Sequence, residues 1–110
     1  MATIKKLFQP IQLNNTGNIL YTTPLNSKTL IRKIIVFNTD ITLSHTVTFY
    51  LVPSGGVAEN TNAVCKATIE PSDFIVLEFE QVIEVGDTIQ AVADASDVLT
   101  VHGTGIEGVY

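Results

Sequence analysis

The sequence is 110 residues long, 45% hydrophobic and 15% charged, with 6 Lys+Arg against 11 Asp+Glu, a net charge of -5 and one Cys. That apolar mass argues against intrinsic disorder, the acidic balance against an overall basic nucleic-acid binder, and the single Cys against a disulfide within the chain. The 12 Ile, 12 Val and 14 Thr favour strands, because a branched Cβ packs on a pleated surface and loses rotamer freedom in a helix.

In chain order, the opening residues carry Lys5 and Lys6, but no apolar run of a signal peptide follows them, so no secretory signal is read there. Weak strand signals at 3–8 and 19–22 bracket the turn cluster Asn14 to Asn18. Residues 28–38 begin mixed and end as Ile34, Ile35, Val36 and Phe37. This four-residue run is matched by Phe74 to Leu77 and exceeded by none, far short of the ~20 residues of a membrane span, so no membrane partner is expected. It predicts a long strand whose second half is covered on both faces, by the core and by something else, such as another subunit. Residues 46–52 alternate, with Val47, Phe49 and Leu51 on one face and Thr46, Thr48 and Tyr50 on the other. Residues 55–63 form the longest stretch without a strand signal and read as an exposed loop. Further strands are predicted at 64–69, at 74–79 with two-sided apolar character, at 88–93 and 98–102 as a hairpin across Asp94 to Asp97, and at 105–109.

No window carries a sustained helical stripe with caps. Eight or nine short strands without crossover helices predict an all-β protein, an antiparallel β-sandwich of jelly-roll-like form with no long helix. Residues 18–110 are expected to make one sandwich domain, preceded by 1–17 as an N-terminal arm or first edge strand.

The charges are segregated. Residues 1–39 hold Lys5, Lys6, Lys28, Arg32 and Lys33 and no acid, whereas residues 40–110 hold Lys66 and all eleven acids. Two readings follow. Strands from the two halves can pair, so that the charges meet as ordinary solvated pairs of small energetic worth. Alternatively, a basic face of one subunit meets an acidic face of the next, which steers docking and fixes register. Five spread cations without interleaved aromatics give only a weak nucleic-acid signal, and no nucleic-acid partner is expected.

No constellation carries chemistry. His45 and His102 lie in no nucleophile motif, and Cys65 reads as a small packing residue. Asp87, Asp94 and Asp97 are too few for a calcium site, which takes six or more oxygens, and stabilise turns instead. Glu78 and Glu80 share a strand face without a cleft, and Gly103 to Gly108 lacks the strand and helix of a phosphate loop. The chain is expected to have no catalytic residues, no metal and no cofactor, and not to be an enzyme. It has no Trp, and Tyr21, Tyr50 and Tyr110 are its amphipathic rings. A receptor-binding or carbohydrate-binding sandwich, with specificity in loops 53–63 and 94–97, is the alternative reading.

The order of segments Leu20-Tyr-Thr-Thr-Pro24, Lys28 to Asn38, Val47 to Gly56, Ala67 to Pro71, Val85 to Ala91 and Val98 to His102 resembles small β-sandwich structural proteins of tailed-bacteriophage virions. The resemblance spans roughly residues 18–103 and contains no catalytic motif. It implies a virion component made in the host cytoplasm: a head decoration protein, a fibre-base protein, or a tail-associated subunit. It also implies a cyclic homo-oligomer, a trimer by expectation, that docks on other virion proteins such as a major capsid protein or a fibre or tail protein. The basic N-terminal segment and the two-sided strand supply the candidate contact residues Lys5, Lys6, Phe8, Arg32, Lys33, Phe37 and Tyr110.

Overall fold

The structure, a computed structural model, describes residues 2–109, with the backbone alone described at Ala2, Gln9 and Val109. Eight strands follow one another: β1 (Ala2–Gln12), β2 (Asn18–Thr22), β3 (Ser27–Asn38), β4 (His45–Val52), β5 (Ala63–Ile69), β6 (Phe74–Ile83), β7 (Thr88–Ala93) and β8 (Leu99–Val109). A single 3₁₀ turn, Asn60–Asn62, lies in the long β4–β5 connection. The strands form two four-stranded antiparallel sheets, β1-β8-β3-β6 and β2-β7-β4-β5. Every connection crosses from one sheet to the other except β4–β5. The pairs β1·β8, β2·β7, β3·β6 and β4·β5 are those of one long hairpin rolled onto itself, the jelly-roll-like arrangement.

Alternation along each strand builds the core. Ile31, Ile34 and Val36 of β3, Val47 and Phe49 of β4, Ile89 and Ala91 of β7, and Leu99 and Val101 of β8 are all buried between the sheets. Phe49 meets Phe79 of β6 edge-to-face, with ring centroids 5.9 Å apart at 71°, a favoured aromatic geometry. Past Phe49 the β4–β5 register shifts. Leu51, half-buried, still packs on the core opposite Ile89 of β7, as the alternation predicts, and Val52 beyond it is buried as well.

Three elements run differently from their sequence signals. The expected hairpin of residues 88–93 and 98–102 does not form, because β7 pairs with β2 and β4 while β8 lies between β1 and β3. The intervening loop is pulled across the sandwich by backbone bonds from Asp94 N–H to Thr46 O, 3.0 Å, and from Asp97 N–H to Leu13 O, 3.0 Å. The two short signals at 98–102 and 105–109 are one strand. Its glycines are packing devices: a Cβ at Gly105 would sit 2.3 Å from the Leu30 carbonyl oxygen, and one at Gly103 would sit 2.7 Å from the Phe8 ring. β1 runs on through Pro10, which an edge strand tolerates at an irregularity, and its register shifts between Phe8 and Ile11.

Candidate functional site

The first sheet, β1-β8-β3-β6, has two unlike faces. On β3, Thr29, Ile31, Ile34, Val36 and Asn38 point into the core, so Leu30, Lys33, Ile35 and Phe37 point outward. Residues paired across a sheet share a face, and the registers therefore extend each outward residue into a row. Leu30 lies between Ile106 and Val82, with Ile4 beyond Ile106. Lys33 lies between Thr104 and Glu78, with Lys6 beyond Thr104. Ile35 lies between His102 and Val76, and Phe37 between Thr100 and Phe74. Ile4 is 82% exposed, Val82 59%, Phe74 57%, Val76 45% and Phe37 40%. The two-sided reading of β3 thus becomes concrete: Ile34 and Val36 meet the core, and among the described residues none covers Ile35 and Phe37 fully.

The charged groups on this side pair across β3 and β6 or just beyond. Arg32 Nε lies 3.3 Å from Glu80, Lys33 Nζ 3.8 Å from Glu78, and Lys28 Nζ 3.8 Å from Glu84. Cations of the first third of the chain therefore meet acids of the remainder as intrachain pairs, all well exposed and worth at most ~1 kcal/mol each. Arg32 and Lys33, with Ile4, Thr104, Gly105 and Ile106, line a shallow groove of about 240 Å³ on the same face.

Of the candidate contact residues, Lys6, Arg32, Lys33 and Phe37 belong to this side of the sheet. Phe8 does not: it is 8% exposed and its ring fills the space that Gly103 leaves open in the chain's own core. Lys5 turns the other way and pairs with Glu107 at 3.2 Å. Tyr110 lies outside the described residues.

Two polar clusters close the edges of the sandwich. At one, the Tyr21 hydroxyl bonds Thr29 Oγ1 at 2.8 Å and donates to Glu107, which also holds Lys5. Burial, with the Glu107 carboxylate beside it, pushes the Tyr21 phenol up to about 12. The Tyr21 hydroxyl, helped by Lys5, holds Glu107 below the usual carboxylate range. At the other cluster, His45 places Nε2 2.8 Å from Asp40 and Nδ1 2.8 Å from Asp94. A carboxylate only accepts, so both contacts are hydrogen bonds when both ring nitrogens carry protons, and the pair of carboxylates favours the imidazolium form. The bonds to Asp40 and then Asp94 raise its pKa against the opposing effect of burial. Asp40 is held far below the usual carboxylate range by His45 and by the N–H groups of Thr42 and Leu43. The sequence reads His45 as a turn histidine; its partners come from loops 54 residues apart in the chain at Asp40 and Asp94, a proximity that only the fold creates.

This arrangement supplies no nucleophile. A histidine with both nitrogens given to carboxylates has no site to take a proton from a hydroxyl. Ser44 bonds Glu70 instead, and burial raises the Cys65 thiol, away from the reactive thiolate. Among the described residues, no three His, Cys, Asp or Glu side chains are grouped to hold a metal.

No protein-family model and no curated protein matches the sequence. The fold is similar to that of solved structures. One, from work on Bacillus endospore appendages as disulfide-linked pili, has a TM-score of 0.55 at 18% identity, over 98% of this chain and 88% of that one. Another, a chain of infectious bursal disease virus, Gx strain, has a TM-score of 0.51 at 12% identity, over 99% of this chain. The chain spans about a third of that viral protein, 32% of its length. At these identities the likeness is one of fold: an eight-stranded sandwich of a kind found in pili and in virus particles.

Proposed function

We propose that the chain is a non-enzymatic structural protein of a bacteriophage virion, a head decoration or head- or tail-associated subunit, which self-associates and docks on the particle surface. The observation that carries this reading is the outer face of the first sheet. Its rows Ile4–Ile106–Leu30–Val82, Ile35–Val76 and Phe37–Phe74 put apolar side chains where a sandwich strand normally turns polar ones to water. Exposed contiguous apolar surface of this kind marks an interaction site. Fold likeness to pilus and virus-particle proteins supports the reading, as does the resemblance of the segment order to phage structural proteins.

The partner is a further copy of this chain together with another virion protein, such as a major capsid protein or a fibre or tail protein. Lys6, Arg32, Lys33 and Phe37 are the contact residues. Sedimentation at micromolar concentration and co-purification with particles test the reading. It expects oligomers and particle-bound protein; a monomer that partners with no particle contradicts it.

A further inference from the structure

We infer that the outer face of the first sheet pairs with the same face of a second copy, about a two-fold axis that runs parallel to the strands between β8 and β3. The inference rests on the self-association reading above and deepens it by naming the partner's surface and the register.

The rows themselves select this axis. From β1 to β6 the charged row reads Lys6, Thr104, Lys33, Glu78. A rotation about an axis along the strands keeps each row at its own height and reverses its order across the sheet. Lys6 then faces Glu78 of the other copy and Lys33 faces Thr104, so no like charges meet within this row. Of the apolar rows, the first obeys the same operation, with Ile4 over Val82 and Ile106 over Leu30, while Phe37 comes over Thr100 and Ile35 over His102. An in-plane axis perpendicular to the strands, at the height of Lys33, instead stacks β3 on β3 and sets Lys33 against Lys33. Like charges facing each other across an interface select against such a register.

The position of the axis matters as well. Placed between β3 and β6, it would overlap only two strands of each sheet. Placed between β8 and β3, it overlaps all four. Strands of this length at ordinary spacing give a face on the order of 700 Å², close to the ~800 Å² per partner of a stable interface. Aligned sheet packing brings such faces to ~10 Å separation, with side chains interleaved. The three-fold arrangement implied by the resemblance would place this face against an unlike surface, since only a two-fold makes a patch meet itself.

The test is a charge-swap mixture read by sedimentation and native mass spectrometry. In Lys6→Glu, two acids face each other twice per dimer; in Glu78→Lys, two cations do. Both sites are exposed, and circular dichroism checks that each variant folds. Each variant alone is expected to self-associate at least tenfold more weakly than the wild type. An equimolar mixture is expected to regain wild-type affinity as a one-to-one pair, because both opposite-charge contacts return in it. If each variant associates as the wild type does, the face is not the interface and the inference fails. If both are weakened but the mixture stays weak, the face associates in another register, and the two-fold fails while the self-association reading stands. A wild type that remains monomeric throughout overturns both.

Discussion

The two sheets share one core but present different outer faces. The first sheet shows Ile4, Leu30, Ile35, Phe37, Phe74, Val76, Val82 and Ile106, with its charges gathered as ion pairs beside β3 and β6. The second shows Thr46, Thr48 and Tyr50 of β4, Lys66 and Thr68 of β5, and Gln90 and Val92 of β7. There Thr46 and Thr68 are linked through their hydroxyls at 3.2 Å, and Gln90 donates to Thr88 at 2.9 Å. A hydroxyl-bearing strand face satisfies itself and water, so nothing has to cover it. On the first face the outward Ile, Val, Leu and Phe side chains have no hydrogen bonds to make. Both faces use β-branched residues with similar strand propensity; the first turns more Ile, Val, Leu and Phe outward, and the second, which also exposes Ile19 and Val64, turns more Thr outward.

The largest expected effects lie inside the sandwich. Phe49→Ala removes the ring that meets Phe79 and should cost about 3–5 kcal/mol of unfolding free energy in urea titration. Gly105→Ala drives a methyl group toward the Leu30 carbonyl and should cost at least ~2 kcal/mol. A Gly105→Ala protein as stable as the wild type would show that β8 does not pack as closely on β3 as described.

The contrast between outer faces sharpens next. Phe37→Ser with Phe74→Ser should leave monomer stability within about 1 kcal/mol while reducing self-association at least tenfold in sedimentation. Thr48→Lys with Tyr50→Ser, on the second sheet, should leave association unchanged. Equal loss from both pairs would erase the distinction between the faces.

Smaller effects come from the ends. The bonds to Asp40 and Asp94 raise the His45 pKa, so its contribution is fully present below its ordinary value of 6.5 and is lost as pH rises through its raised folded value. Asp40 contributes above its ordinary value of 3.8, and that contribution is lost as pH falls through its depressed folded value. The melting temperature should therefore be highest between about pH 4 and 6.5 and decline above. His45→Gln should flatten the alkaline decline; an unchanged decline would mean that the Asp40–His45–Asp94 joint contributes nothing. Smallest of all, Thr23→Val should be neutral or stabilising by up to about 1 kcal/mol in thermal unfolding, because Thr23 Oγ1 is buried with no hydrogen-bond partner among the described residues.

The strands were legible in the sequence where alternation or an apolar run is strong, as in 28–38 and 46–52. Sheet membership was not. β7 and β8 look like a hairpin because they are adjacent in sequence and separated by a turn-rich loop, and only contacts of that loop with Leu13 and Thr46 send them to different sheets. Bulges hid the true lengths of β1 and β6, since Pro10 and the positive φ of 53° at Glu80 interrupt the pattern without ending the strand. The two-sided apolar character of Ile34 to Phe37 was legible, and the fold turns Ile35 and Phe37 to the outer face. Phe8 misled because exposure depends on what lies opposite, and opposite Phe8 stands Gly103. The segregated charges were visible, and so was the reading that strands of the two halves pair and bring them together; that β3 and β6 are the strands concerned depends on long-range register.

Footprinting with a photogenerated carbene, read residue by residue across a protein dilution series and on isolated particles, tests most directly whether the first sheet's outer face is covered. Labelling of Ile35, Phe37, Phe74 and Val76 should fall with concentration and on the particle, while labelling of Thr46, Thr48 and Tyr50 stays constant. Constant labelling of the first group, or protection confined to the second, would contradict the account.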